Sequence, residues 1–365
     1  MNKLPVLKPG DTIGILGGGQ LGRMLALAAA EFGLNCHIYA PEEDSCAFQV
    51  VRDKTCAEYD DEAALERFAA AVNVVTYEFE NIPAATAGFL QFHKPVLPNP
   101  NTLAIVQDRL PEKEFVTGLG IGTAPFAKVD SLAELKAAIV RLDAPAVLKT
   151  RRLGYDGKGQ AKIAKPEDAE TAWQAIREKS AILEKFVPFE QEISVVAARG
   201  RDGEVVAYDA IENVHWQHIL HRSTVPAQIP ETLTAEAVAI AARIADALGY
   251  IGTLAVEMFV VQADGKRRLL VNEIAPRVHN SGHWTIDGAT ASQFEQHIRA
   301  VAGWPLARPR RLGRVEMINL IGREVNDWPK YLAEPGACVH IYGKGDARPG
   351  RKMGHVTRVL PETGF

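Results

Sequence analysis

Two carboxylates and a lysine give the first chemical signal. Glu257 stands inside the apolar run Leu254 to Phe259, and Glu273 follows the run Leu269 to Asn272. Burying an unpaired charge is costly, so an acid in such a run points to a cation or a partner. Acids on paired strands can share a face and hold Mg²⁺, a hard cation that takes oxygen ligands and substrate phosphates. Asn272 and Asn280 add neutral oxygens nearby, although either glutamate alone reads as a surface strand residue. Lys149 ends another apolar strand, Ala146-Val147-Leu148, and the chain continues Thr150-Arg151-Arg152-Leu153-Gly154-Tyr155-Asp156-Gly157-Lys158-Gly159-Gln160. A strand-end lysine before a basic, glycine-rich loop is suited to fold over a polyphosphate, because glycine permits positive φ and close backbone approach. The G-x-x-x-x-G-K-[ST] pattern of a Walker loop is absent. Taken alone, the segment also reads as a flexible solvated hairpin.

Three further segments carry polar groups at suggestive spacing. Glu273 opens Glu273-Ile274-Ala275-Pro276-Arg277-Val278-His279-Asn280-Ser281-Gly282-His283-Trp284, where Arg277 follows a proline on a loop. A fixed guanidinium suits a carboxylate or phosphate in a transition state. Near the N-terminus, Gly17-Gly18-Gly19-Gln20-Leu21-Gly22 satisfies G-x-G-x-x-G between a strand and a helix. It supports a Rossmann-like fold strongly and a dinucleotide only weakly; Glu42 stands where a ribose-binding acid could sit, within the acidic turn Pro41 to Ser45. Near the C-terminus, Lys344, Arg351 and Lys352 gather among Gly343, Gly345, Gly350 and Gly354. Such a cluster can seat a small anion, here a sugar phosphate, or be a solvated basic turn.

The elements that must position these groups alternate. Strands are expected at Thr12 to Leu16, Cys36 to Tyr39 and Val74 to Tyr77, with helices from about Leu21 to Phe32 and Glu62 to Ala71 and another opening near Pro83. That order implies a parallel sheet covered by helices. A second block follows: a helix ending at Gly118, strand Phe126 to Val129, helix Leu132 to Leu142, strand Ala146 to Lys149, strand Lys162 to Ala164, helix Glu167 to Glu178 and strand Ala181 to Phe186. From Glu190 long antiparallel-type strands are expected at Gln191 to Ala198, Val205 to Ala210, Leu254 to Val261 and Arg268 to Asn272. The turn Ala263-Asp264-Gly265 marks the last two as a hairpin. The fold class expected is α/β and α+β: a Rossmann-like domain over residues 1–112, a clamp over 113–302 with a lid at about 125–188, and a β-rich module over 303–365.

With 365 residues the chain exceeds one compact core, and 24% charged residues with net charge −4 offer no general attraction to nucleic acid or an anionic membrane. No stretch has signal-peptide or membrane-spanning character, so the cytoplasm is the expected location. Cys36, Cys46, Cys56 and Cys338 form no CxxC pair and read as reduced structural residues.

The order of these segments, with Glu184-Lys185-Phe186-Val187 between them, resembles the ATP-grasp superfamily, whose two α+β lobes clamp ATP. More closely it resembles the N5-carboxyaminoimidazole ribonucleotide synthetases of purine synthesis. The segments that carry the resemblance are Gly14 to Met24, Thr76-Tyr77-Glu78-Phe79-Glu80-Asn81-Ile82-Pro83, Gly154 to Gly159, Glu273 to Arg277 with His279 to His283, and Gly350-Arg351-Lys352-Met353-Gly354-His355. The resemblance assigns ATP to Arg109, Lys149, Gly154, Tyr155, Asp156, Gly157, Lys158, Gly159, Gln160, Glu184, Lys185, Phe186 and Val187, with Asn272 and Glu273 beside it. Glu192 would meet the ribose, His215 would lie near the nucleotide, and Glu257 and Glu273 would hold Mg²⁺. Tyr155, Asp156, Arg277, His279 and Lys352 would surround bicarbonate and the aminoimidazole ribonucleotide. Gln20, Leu21 and Glu78 would wall that substrate, and Lys344, Arg351 and Lys352 would take its phosphate. The implied chemistry is attack of bicarbonate on the γ-phosphate of ATP and capture of the activated carboxyl by an exocyclic amine, in a homodimer. A formyl-phosphate-using ligase acting on a glycinamide ribonucleotide and an NAD(P)-dependent oxidoreductase are the competing readings.

Overall fold

A computed structural model describes residues 4–152, 154 and 159–361. Strands β1 (Thr12–Leu16), β2 (Asn35–Ala40), β3 (Asp53–Cys56) and β4 (Val74–Tyr77) form a parallel sheet in the order β3-β2-β1-β4. β1 and β4 are buried almost throughout, and an apolar run rather than alternation is what a sheet covered on both faces demands. Helix Gln20–Glu31, rich in alanine and leucine, packs one side of it together with helix Gln293–Ala302. β3, with its alternating polar sequence Asp53-Lys54-Thr55-Cys56, escaped the sequence pattern; as an edge strand it has no apolar run to show.

β5 (Phe126–Val129), β6 (Ala146–Thr150), β7 (Gln160–Ile163) and β8 (Ala181–Lys185) make a separate antiparallel sheet in the order β5-β8-β6-β7. Helices Leu132–Leu142 and Ala169–Ala175 close its own small core. The Ser131 side chain caps the first of them by accepting from the Glu134 amide.

The remaining strands join one antiparallel sheet. They are β9 (Phe189–Arg199), β10 (Val205–Ala207), β11 (Ile211–Trp216), β12 (Ile219–Val225), β13 (Gly252–Ala263), β14 (Lys266–Ala275), β15 (Arg314–Ile321), β16 (Ala337–Ile341) and β17 (Lys352–Leu360). Their order is β14-β13-β9-β11-β12-β15-β17-β16, with β10 on β9. The C-terminal strands therefore extend the same sheet through β12 and β15. Asp264 and Gly265 have φ of 52° and 73°, the positive pair that a two-residue hairpin loop requires. The expected strand Val205 to Ala210 stops at Ala207, and a further strand begins at Ile211.

Candidate active site

A cleft opens between the small antiparallel sheet and the large one. Its lining includes Arg109, Lys149, Gly154, Gln160, Glu192, His215, Glu257, Asn272, Glu273, Arg277, His279 and Lys352. Lys149 and Gln160 are cross-strand partners on β6 and β7, so the small sheet offers both from one position. Arg109 starts helix Arg109–Gly118, donates to the Gly154 carbonyl at 3.1 Å and pairs with Glu273 at 3.3 Å. Asp108 caps that helix and also takes both prongs of Arg151, at 2.8 and 2.7 Å. The base of the basic loop is thereby pinned. Tyr155, Asp156, Gly157 and Lys158 lie outside the described residues.

The acidic pair depends on an irregularity that the sequence conceals. Glu257 and Glu273 are direct partners on β13 and β14, and the register then slips so that Met258 faces Val271. Asn272 is the extra residue of this bulge. On a regular strand Asn272 and Glu273 would point to opposite faces; the bulge turns both into the cleft. Burial would raise the Glu257 carboxyl, but the His279 hydrogen bond and nearby cations bring it down to about 2. His279 reaches Glu257 at 3.2 Å through Nε2 and Ser281 at 2.8 Å through Nδ1. The Asn272 Oδ1 atom is buried without a hydrogen-bond partner among the described residues. Two carboxylates beside an unpartnered amide oxygen form an oxygen-rich donor set that fits Mg²⁺.

Arg277 is held by both oxygens of Glu80, its Nη2 donating to Oε1 at 3.0 Å. Burial opposes the guanidinium charge, and Glu80 more than offsets that, raising its pKa. His215 is bonded to Glu192 from the adjacent strand; burial lowers its pKa, yet Glu192 and Glu257 turn the net shift upward. A charged ring is thereby favoured.

Lys149 does not stand alone. Its Nζ lies 2.9 Å from Glu184, which is 2% exposed and has Lys113 as a second partner at 3.7 Å. Against the effect of burial, the two lysines hold Glu184 down to about 2. Glu184 thus sits behind the lining as the anchor of Lys149, while Lys185 and Phe186 are exposed and Val187 half-buried. From sequence, Glu112 and Lys113 receive no role, and Glu80 is named only within the segment Thr76 to Pro83. Glu112 accepts from the Ile274 amide at 2.6 Å, and burial, then Glu273, pushes it up to about 8. Lys113 donates to the carbonyls of Val271 and Asn272 at 3.3 and 2.9 Å, bracing the bulge. The charged pattern Arg109-Leu110-Pro111-Glu112-Lys113 on the inward face of a helix was the available signal.

A second cavity lies beside Gly18, Gly19, Glu78, Lys344 and Arg351. Here the glycine-rich turn receives an internal anion. Glu78 accepts from the Gly19 and Gly22 amides at 2.5 and 2.7 Å, taking the helix N-terminus that a pyrophosphate would need. A Cβ at Gly17 or Gly19 would meet Glu78 at 2.3 or 2.5 Å, so these glycines are required by the carboxylate. The dinucleotide reading fails on this contact. Gln20 is half-buried, and the Leu21 side chain belongs to the core. Lys344 donates to the Lys352 carbonyl at 3.0 Å, but Lys352 itself lines the first cleft. The basic cluster is thus divided between two cavities. Asn280 lines the cleft, as expected, with its amide paired reciprocally to Asn319 at 2.9 and 2.8 Å, whereas His283 is fully buried away from the cleft lining.

Comparison with known proteins settles the lineage. Residues 11–107 match the ribonucleotide synthetase preATP-grasp domain, 114–294 the ATP-grasp domain and 316–363 the phosphoribosylaminoimidazole carboxylase C-terminal domain. The N5-carboxyaminoimidazole ribonucleotide synthase of Brucella melitensis is 52% identical over 360 residues, covering 98% of each chain. The chain belongs to the N5-carboxyaminoimidazole ribonucleotide synthase family. Among solved members of this family, the ADP complex of one synthetase superposes with a TM-score of 0.94 at 42% identity, covering 98% of this chain and 94% of that one. The Aspergillus clavatus synthase in complex with ADP and 5-aminoimidazole ribonucleotide gives a TM-score of 0.89 at 28% identity, covering 97% and 95%. Among the described residues no helix is long and apolar enough to cross a membrane.

Proposed function

We infer that this protein uses ATP and bicarbonate to carboxylate 5-aminoimidazole ribonucleotide on its exocyclic amine, releasing ADP and phosphate. The observation that carries the reading is the convergence of Lys149, Arg109, the Glu257–Glu273 pair and Arg277 on one cleft. Lys149 and Arg109 offset the polyphosphate charge, and the Glu184 and Glu273 contacts keep both cations in place. Bicarbonate oxygen attacks the γ-phosphorus, the β–γ bridging bond breaks, and carboxyphosphate forms as ADP leaves. Arg277, held rigid by Glu80, meets the carboxyl group and stabilises the charge that grows on it. His279 and Lys352 border the place where the amine then displaces phosphate. Mg²⁺ held by Glu257, Glu273 and Asn272 would neutralise phosphate charge there.

The ribonucleotide would span both cavities, with its phosphate on Lys344 and Arg351 and its ring towards Glu78 and Arg277. Remote phosphate binding can align the amine as well as raise affinity. A cytoplasmic homodimer is the assembly implied by the family. With ¹³C-bicarbonate, ATP and the ribonucleotide, the expected product carries a labelled carbamate carbon. Labelling of a ring carbon instead, or none, refutes the assignment.

A further inference from the structure

Outside both cavities, a cluster of nitrogen and oxygen donors lies where β16 and β17 pack on the short helix Thr285–Gly288. His340 and His355 are direct cross-strand partners, their rings stacked 4.5 Å apart at 11°. Asp287 of the helix meets the His340 Nε2 atom at 2.9 Å. One ligand atom from each of the three lies within 4.8 Å of the others. None of the three lines either cavity described above.

The telling atom is Nε2 of His355. The residue is fully buried, and this nitrogen has no hydrogen-bond partner among the described residues. Its other nitrogen is tied to the Tyr342 hydroxyl at 2.8 Å. A buried, unpartnered ring nitrogen is costly unless something occupies the position in front of it. If the Tyr342 oxygen accepts from Nδ1–H, the Nε2 lone pair is left without a partner among the described residues, the arrangement that outer partners impose on ligating histidines. Cys338 lies two residues before His340 on the same strand face and hydrogen-bonds to Asp287.

We propose that Asp287, His340 and His355 bind a divalent transition-metal ion of the zinc class, with the Cys338 thiol, which hydrogen-bonds to Asp287 outside that group, turning in as fourth donor. Two imidazoles, a carboxylate and a thiolate form a tetrahedral set for Zn²⁺, whereas Mg²⁺ prefers oxygen alone. Binding is an exchange: the ion enters, the Cys338 thiol proton leaves to solvent, the proton between His340 Nε2 and Asp287 passes to His340 Nδ1 so that the ring stays neutral, and no bond to carbon changes. Side chains of His340 and Asp287 are 30% and 17% exposed, which gives the ion a way in. The metal would clip the edge of the large sheet to the segment that follows Arg277 and His279. The ends of that edge carry Lys344 and Lys352.

The test uses the full-length protein, stripped with a chelator and titrated with Co²⁺ as a spectroscopic stand-in for Zn²⁺. A single equivalent should give the intense visible absorption of tetrahedral cobalt with a thiolate charge-transfer band; Zn²⁺ should bleach it and excess Mg²⁺ leave it. His340→Ala and Asp287→Asn should each weaken binding by ~100-fold or more, since losing a ligand exceeds the 10–100-fold cost of losing an outer partner. Cys338→Ser should remove the charge-transfer band. Glu273→Gln, in the catalytic cleft, should keep the full signal. Absence of the absorption, equal binding by the His340 and Asp287 variants, or loss of the signal in Glu273→Gln would overturn the site. An unchanged charge-transfer band in Cys338→Ser would overturn the thiol ligand.

Discussion

The two glycine-rich segments are alike in composition and opposite in outcome. At Gly17 to Gly22 the backbone amides close on Glu78, a carboxylate 59 residues from Gly19. At Gly154 to Gln160 the neighbouring cations Arg109 and Lys149 face an open cleft. At the first segment, glycine lets the backbone come close to negative charge. What separates them is the source of the charge: in the first it is part of the chain, and in the second, on the proposed function, it arrives with a ligand. A glycine motif therefore locates an anion, and only the fold reveals whose anion it is.

The sharpest way to break this comparison is to remove charge at the open site. Lys149→Ala and Glu273→Gln should each lower kcat/KM by roughly 10²–10³, the usual scale for a lost transition-state contact. Lys149→Ala should also lower the thermal midpoint, because among the described residues Glu184 then keeps a single ion pair, with Lys113 at 3.7 Å. If either variant retained near-normal turnover, the open site would not be the phosphate site.

Removing the internal anion tests the other half. Glu78→Ala leaves the Gly19 and Gly22 amides without their acceptor and should cost roughly 2–3 kcal/mol in denaturant unfolding. Micromolar NAD binding by the wild-type protein would instead show that the N-terminal turn is open after all.

A subtler effect is expected at the second cavity. Lys344→Ala and Arg351→Ala should raise KM for the ribonucleotide by about tenfold, the scale of one 1.4 kcal/mol contact, and leave KM for ATP alone. Burial lowers the Lys344 pKa to about 8. Its positive charge is present below that pH and lost above it, so ribonucleotide KM should climb as pH rises through about 8. Lys344→Ala should flatten that climb. Lys352→Ala should act on turnover rather than on ribonucleotide KM alone, because its side chain lines the first cleft.

The smallest effect concerns acid stability. Glu184 has a folded pKa depressed from 4.5 to about 2. Its contribution is therefore present above pH 4.5 and is lost as pH falls towards 2. Glu184→Gln should be less stable at neutral pH and show a shallower acid limb in a thermal-midpoint profile; superimposable profiles would deny the ion pair any energetic weight.

Much of the molecule was legible in the sequence. Periodic apolar runs placed β1, β4, β5 and the β13–β14 hairpin within a few residues, because each buries a face that only those residues can fill. Glu257, Glu273 and Arg277 were found because charge inside an apolar run or after a proline needs a reason. What escaped depends on contacts distant in sequence. The bulge at Asn272 leaves no local signature, and the capture of the glycine turn by Glu78 is set by sheet geometry. Lys113 and Glu112 looked like ordinary helix charges until the helix was seen to lie against β14. Nor could residue type divide Lys344 from Lys352, which face different cavities although only eight residues separate them.

The central claim is that one cleft couples ATP cleavage to carboxylation of the imidazole ribonucleotide. It is tested most directly by measuring ADP and phosphate release with ATP, Mg²⁺, bicarbonate and 5-aminoimidazole ribonucleotide, each omitted in turn. Release should collapse without ATP or Mg²⁺ and rise strongly when the ribonucleotide is added. Release indifferent to the ribonucleotide, or NADH oxidation with no ATP turnover, would contradict the account.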